Sequence, residues 1–194
     1  MRRDAGRLDW AAVAALAASV TTVVAIVTAV MIFSQARQDA QHARFNATLE
    51  SLWRLVDQWN SADMTTARSG AATALLADQP NHDVDDVLDF FDEISFLLSR
   101  GALDEEMVWY EFYRPMANYW FASQDHVRQV QRNDPTTWEQ IGRTVTRLVA
   151  IEARRRSRTS DDLVPSRAQI REFLTAEIGN AECEEETEAR RMPL

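Results

Sequence analysis

Apolar residues follow two regimes along this chain. From Trp10 to Phe33, 20 of 24 positions are hydrophobic, and no charge occurs between Trp10 and Ala36. A helix of about 24 residues rises about 36 Å, enough to cross a hydrocarbon core of about 30 Å with some tilt. The pattern predicts one transmembrane helix over residues 10–36, with Trp10 as an aromatic anchor at one interface and Arg37 beyond the other. A cleavable signal peptide is the rival reading, since Ser34-Gln35-Ala36 is a passable small-x-small site, but the apolar run exceeds the roughly 7 to 15 residues of such a peptide. A core helix of a soluble protein seldom lacks a polar face over so many turns.

After Ala36 the apolar positions recur at helical spacing with little strand signal. Phe45, Leu49, Leu52, Val56 and Trp59 form one stripe, which predicts a helix docked on its own domain or, alternatively, a parallel dimer seam. An alanine-rich segment from Asp63 to Ala77 allows close helix approach, and Asp78-Gln79-Pro80-Asn81 ends it. The next helix spans Val84 to Arg100 and carries Val84, Val87, Leu88, Phe91, Ile94, Ser95 and Leu98 on one face. Asp83, Asp85 and Asp86 favour its amino terminus, and Arg100-Gly101 closes it. Asp104-Glu105-Glu106 opens a helix that Pro115 kinks or restarts, because proline has no N–H to give and clashes with the carbonyl of Glu111. The restarted helix runs to about Gln131, and Asn133-Asp134-Pro135 reads as a turn. Thr136 with Glu139, and Ser166 with Gln169, are capping boxes for two further helices. Gly179 ends the fold.

The expected organisation is all-α: a short flank over 1–9, the transmembrane helix over 10–36, a compact bundle of about six helices over 37–180, and a disordered acidic tail over 181–194. The glutamate-rich stretch from Glu182 to Glu188 has too little apolar surface to order itself.

Several of these residues carry a resemblance. Phe90-Phe91-Asp92-Glu93-Ile94, Leu97-Leu98, Gly101, Leu103-Asp104-Glu105, Tyr119-Trp120, Asp134-Pro135 and Trp138 resemble the bacterial domain of unknown function numbered 4760, over about residues 34 to 178. The resemblance implies a single amino-terminal membrane span followed by an all-helical domain. It implies no reaction, substrate or catalytic residue.

Composition removes several functional classes. Five glycines and one cysteine leave no glycine-rich phosphate loop, disulfide framework or cysteine zinc site. The three histidines, His42, His82 and His126, have no metal-ligand spacing. Cys183 sits among carboxylates that raise its pKa and blunt it as a nucleophile, and there is no nucleophile elbow. No cofactor and no enzymatic role are expected, although catalysis by residues that only the fold assembles is a third reading. All 21 basic residues are arginine. Residues 63 to 112 hold twelve acids and two arginines, whereas 113 to 172 hold eleven arginines and seven acids. The two halves can attract each other within one fold or between subunits. Nucleic acid is not an expected partner for a chain of net charge -9 without a reading motif. Arg2, Arg3 and Arg7 before the span against Arg37 and Arg44 after it lean toward an amino terminus inside, leaving the side of the domain open.

Three constellations stand out. Trp109, Tyr110, Phe112, Tyr113, Tyr119, Trp120 and Phe121 go all round their helix, which predicts a helix surrounded by others. Glu111 and Arg114 in their midst are three apart and within reach of each other. Buried charges pair or face a cavity, so Trp109, Glu111, Tyr113, Arg114, Tyr119 and Trp120 are a candidate ligand pocket with Arg114 as an anion handle. Asp85, Asp89, Asp92 and Glu93 form an acidic stripe, normally a solvated face, and Phe96 projects into it as a candidate partner surface. Arg154, Arg155, Arg156 and Arg158 end a helix, where its dipole favours cations, and are candidate contacts for anionic lipid headgroups. The functional expectation is a single-pass cell-membrane protein whose helical domain is a protein-interaction or regulatory module, its partner another protein or a second copy of itself. The alternative is a ligand or lipid sensor using the aromatic pocket.

Overall fold

The structure, a computed structural model, describes residues 10–191, with the side chains of 10–30, 34, 40, 41, 44, 161 and 181–191 set aside. The described residues are all-α: α1 Trp10–Trp59, α2 Ala62–Leu76, α3 His82–Ser99, α4 Glu105–Ala122, α5 Gln124–Gln131, α6 Glu139–Arg156, a 3-10 turn Asp161–Leu163, and α7 Arg167–Arg191. They divide into two compact units, the first ending at Asn46 and the second beginning at Ala47. The predicted span at 10–36 falls, over residues 10–30, outside the described side chains, and among the described residues no helix is long and apolar enough to cross a membrane. In the first unit Ile32 and Phe33 are exposed, and the Arg37 guanidinium stacks 4.5 Å from the centre of the Phe33 ring.

The second unit is built around α3. Each residue expected on its apolar face is buried, with Phe90 added. Ser95 is admitted because its hydroxyl donates to the Phe91 carbonyl at 2.7 Å. Gly101, at φ +68°, closes α3 with two bonds, Gly101 N–H to the Leu98 carbonyl and Ala102 N–H to the Leu97 carbonyl. This is the paired pattern of a Schellman motif, which places a residue in the left-handed region that glycine occupies without strain. Leu52 and Leu55 from the end of α1, Ala71 and Ala72 from α2, Val108, Phe112 and Met116 from α4, Ile141 and Leu148 from α6, and Leu174 from α7 complete the core. The stripe on α1 therefore docks on its own domain from Leu52 onward, with Trp59 packed on Phe90 and Phe91 at 5.1 and 5.2 Å between ring centres.

Local start and stop signals divide into those the fold uses and those it bypasses. Ser61 caps α2 and Asp104 caps α4, their side chains accepting from Met64 N–H and from Glu106 and Met107 N–H. The Ser166–Gln169 box forms reciprocally: Ser166 N–H donates to Gln169 Oε1 at 2.8 Å and Gln169 N–H to Ser166 Oγ at 3.3 Å. The Thr136–Glu139 box does not form. Thr136 turns instead to Asp134 Oδ1, receiving no helix amide, Glu139 pairs with Arg143, and α6 starts from Trp138 in the left-handed region at φ 56°. Pro115 neither ends nor restarts α4, which stays helical from Glu105 to Ala122. Its neighbours Glu111 and Arg114 are exposed, so water can satisfy the carbonyl that proline leaves without a donor. The break comes later, at Ser123, whose hydroxyl and N–H both donate to the Tyr119 carbonyl. Finally, α7 continues through Gly179 to Arg191. One glycine costs about 1 kcal/mol in a helix, too little to stop a sequence rich in alanine and glutamate.

Candidate functional site

The aromatic residues of α4 serve the core. Tyr119 and Phe112 are each 1% exposed, and with Trp59, Phe90, Phe91 and Phe173 they form one chain of ring contacts at 5.1 to 6.4 Å. Trp120 is half-buried against α6, its indole so close to Gly142 that a β-carbon there would lie 2.8 Å from Trp120 Cζ2. Glu111 and Arg114 are both exposed, so the charge expected inside the aromatic segment is outside it. Of the six residues named as a pocket, Tyr119 is buried, Glu111 and Arg114 are exposed, and Trp109, Tyr113 and Trp120 are half-buried. Trp109 and Tyr113 lie instead beside the arginine run at the end of α6.

A buried charge pair sits where the pocket charge was sought. Arg68 on α2 and Glu177 on α7 approach to 3.2 Å between Nε and Oε2, with side chains 9% and 10% exposed. The Nε–H does not point at that oxygen, so this is an ion pair without a linear hydrogen bond. Arg68 Nη1 donates to the Trp59 carbonyl at 3.3 Å, and its guanidinium lies 4.5 Å from the Trp59 ring centre. The Tyr119 hydroxyl lies 3.1 Å from the Arg68 carbonyl and 3.3 Å from Glu177 Oε2, with one proton to donate between them. Burial pushes the Glu177 carboxyl up, and Arg68 with the Tyr119 hydroxyl pulls it only part of the way back. Tyr119 is pushed far above the ordinary phenol range by burial first and by the Glu177 charge second, so it stays protonated. One face of this cluster is α1, one α2, one α4 and one α7. Its chemistry is that of a positional lock.

The acidic stripe of α3 stays open to solvent at Asp89 and in part at Asp85 and Glu93, and it also makes contacts. His126 Nε2 of α5 donates to Asp85 Oδ1 at 2.6 Å, and Trp138 Nε1 donates to Asp89 Oδ1 at 2.7 Å. The rings of His126 and Trp138 meet at a tilt of 39° with their centres 5.7 Å apart, so the two polar contacts lie side by side. Asp92 is raised by burial and then by the neighbouring charge of Asp89. Glu93 pairs with Arg54 of α1 at 3.1 Å. Phe96 remains 49% exposed, with the Arg100 guanidinium 5.2 Å from its ring centre.

The arginine run is divided between structure and solvent. Arg155 pairs with Glu106 and stacks 4.2 Å from the Trp109 ring centre. Arg156 pairs with the buried Glu152, beside which the Tyr113 hydroxyl is raised by burial and by the Glu152 charge. Arg154 and Arg158 are exposed with no carboxylate partner among the described residues. The segregated charges thus meet within one fold, since Arg147 reaches Glu105 at 2.6 Å as Arg155 reaches Glu106.

Two open grooves mark the surface. One, of about 610 Å³, runs along α2 past Ser69, Gly70 and Thr73 to Asn81 and Asp83; the other, of about 450 Å³, lies between Asp63, Met64, Asp86 and Phe90. Neither is lined by any residue of the aromatic candidate set. Among the described residues, no group of three or more His, Cys, Asp or Glu side chains can hold a metal ion.

Fold and side-chain arrangement together define an all-helical bundle with an aromatic core locked by one buried ion pair. Residues 12–148 match the family Domain of unknown function (DUF4760), and the chain belongs to that family. No curated protein and no solved structure matches it.

Proposed function

We propose that this protein is held in a cell membrane by the uncharged stretch from Trp10 to Ala36 and that its helical domain acts there as a non-catalytic interaction or regulatory module. The observation that carries the reading is the run of 20 hydrophobic residues in 24 with no charge, long enough for one crossing. Tethering confines the domain to the bilayer and raises its effective concentration for any partner in the same membrane, without a new contact. The surface offers two large exposed aromatics on the second unit's helices α3 and α4, Phe96 and Tyr110, which suit a partner better than solvent.

The experiment is alkaline carbonate extraction of membranes containing the full chain, followed by crosslinking in those membranes. Retention with the bilayer supports the anchor; release into the soluble fraction overturns it. A heterologous protein captured reproducibly supports a hetero-partner, whereas only self-crosslinks point to a second copy of the chain. A carboxyl-terminal reporter active in one compartment fixes the side on which the domain lies.

A further inference from the structure

We infer that the end of the second unit formed by the α3–α4 turn and the last turn of α6 rests on an anionic lipid surface, a refinement that depends on the membrane reading above. Trp59 packs on Phe90 and Phe91 while Arg54, earlier in α1, reaches Glu93, later in α3. The end of α1 therefore runs antiparallel to α3, and Ala47 lies toward the α3 end at Ser99–Gly101. From that turn α4 starts, and Arg155 in the last turn of α6 pairs with Glu106 and stacks on Trp109 in its first turns. The entry of the chain into this unit, the end of α3, the start of α4 and the end of α6 share one end. Ten residues lie between Ala36, the last of the uncharged stretch, and Ala47, a reach of at most about 35 Å.

What is exposed at that end matches a headgroup layer. Tyr110 is 78% and Phe96 49% exposed, large aromatics of the kind that settle at a membrane interface. Four acids at this end are engaged, Glu105 with Arg147, Glu106 with Arg155, Glu152 with Arg156 and Asp104 as the cap of α4, while the exposed Glu111 beside Tyr110 has no cation among the described residues. Arg154 and Arg158 have no carboxylate partner among the described residues, and Arg100 lies over Phe96. Guanidinium groups beside aromatic rings bind lipid phosphate while their stems cover apolar surface. Nucleic acid fits less well, because the whole chain carries a net charge of -9.

The test uses the full chain with Cys183→Ser, labelled with a fluorophore at Tyr110→Cys or, at the opposite end, at Gln129→Cys. It is reconstituted into phosphatidylcholine vesicles with a headgroup nitroxide quencher, with and without about 30% phosphatidylglycerol. The expected result is quenching at Tyr110→Cys that at least roughly doubles with phosphatidylglycerol and fades at high salt, with Gln129→Cys unaffected. Arg154→Gln with Arg158→Gln lowers the docked fraction relative to the lifted one about thirtyfold and returns the signal to the phosphatidylcholine level. Both arginines are exposed, so an unchanged thermal melt verifies that the variant folds. Quenching equal at the two labels, or indifferent to phosphatidylglycerol and to the variant, overturns the surface while a carbonate-resistant chain leaves the anchor standing. If carbonate releases the chain, the anchor falls, and cosedimentation of the released chain with phosphatidylglycerol vesicles decides the surface. Binding lost in the variant keeps it; binding absent or unchanged overturns it.

Discussion

Replacing Arg68 by Met leaves Glu177 inside the fold with no cation. The pair is about nine-tenths buried on both sides, with side-chain exposures of 9% and 10%. Removing one member of such a pair costs about 3–5 kcal/mol, because the remaining charge keeps its desolvation penalty and loses its partner. For a chain of this size that corresponds to a fall of roughly 10 °C in Tm. Glu177→Gln is expected to cost far less, about 1 kcal/mol for altered hydrogen bonding with Tyr119. The reason is that glutamine still accepts from the Tyr119 hydroxyl, while Arg68 keeps its bond to the Trp59 carbonyl and its place over the Trp59 ring. Arg68→Met with Glu177→Met removes both charges and is expected near the parent or above it. Thermal melts of the full chain in detergent, followed by circular dichroism, give all four values. An Arg68→Met variant within about 2 °C of the parent would refute the buried pair, and equal losses in the two single variants would refute the asymmetry between them. The pH dependence has a definite sign. The folded value of Glu177 lies above the unfolded one, so the folded state binds more protons and stability rises as pH falls through the folded value. Asp92 is raised in the same sense and Asp134, held down by hydrogen bonds from Thr136, acts in the opposite one. Glu177→Gln should therefore shrink whatever gain the parent shows between pH 7 and about pH 5.

Other substitutions isolate single local causes. Gly101→Ala meets no atom within 4 Å but keeps φ at +68°, so its loss of about 1 kcal/mol is backbone strain alone; Gly179→Ala, inside α7 with equally open space, should gain up to about 1 kcal/mol. Gly142→Ala places a β-carbon 2.8 Å from Trp120 Cζ2 and is expected to lose about 1–3 kcal/mol of packing, partly offset by helix propensity, with a shift in tryptophan emission. Ser166→Ala removes the acceptor for Gln169 N–H and should cost about 1 kcal/mol, read in the same melts.

The helices were legible because their signals were local. The seven apolar positions on α3, the Gly101 stop and the Ser166 box depend on residues within a turn or two of one another. The Thr136 box failed because a nearer acceptor, Asp134, captured the hydroxyl, and Pro115 did not restart the helix because its freed carbonyl lies beside exposed residues. The buried pair was not legible, since Arg68 and Glu177 lie on α2 and α7 and no periodicity couples them. Both nevertheless interrupt apolar surroundings, Arg68 the alanine-rich stretch and Glu177 the run of Phe173, Leu174 and Ile178. A lone charge among small or apolar residues is the trace such a pair leaves. Reading Glu111 and Arg114 as inner charges mistook proximity in sequence to aromatics for burial; the helix turns both outward. The acidic stripe is solvated in part as its spacing implied, and what the spacing could not show is that Asp85 and Asp89 also meet His126 and Trp138.

Phe112 and Tyr119 of α4 are packed into the core, whereas Tyr110 is left outside. A small-molecule site needs apolar walls enclosing about 300 Å³ or more, whereas the grooves here are open and lined in large part by hydroxyls, amides and carboxylates. Phe96 is then the sharpest probe of how the surface is used. It is 49% exposed and touches the Arg100 guanidinium, so Phe96→Asp should leave the melt within about 1 kcal/mol of the parent. A lipid-facing role predicts that an acid at this position repels anionic headgroups and lowers quenching at Tyr110→Cys, with protein crosslinks retained. A partner-facing role predicts the reverse, crosslinks lost and quenching unchanged. If neither signal moves while the chain remains in the membrane, Phe96 belongs to no interface, and exposed apolar area at this end of the bundle loses its part in both readings.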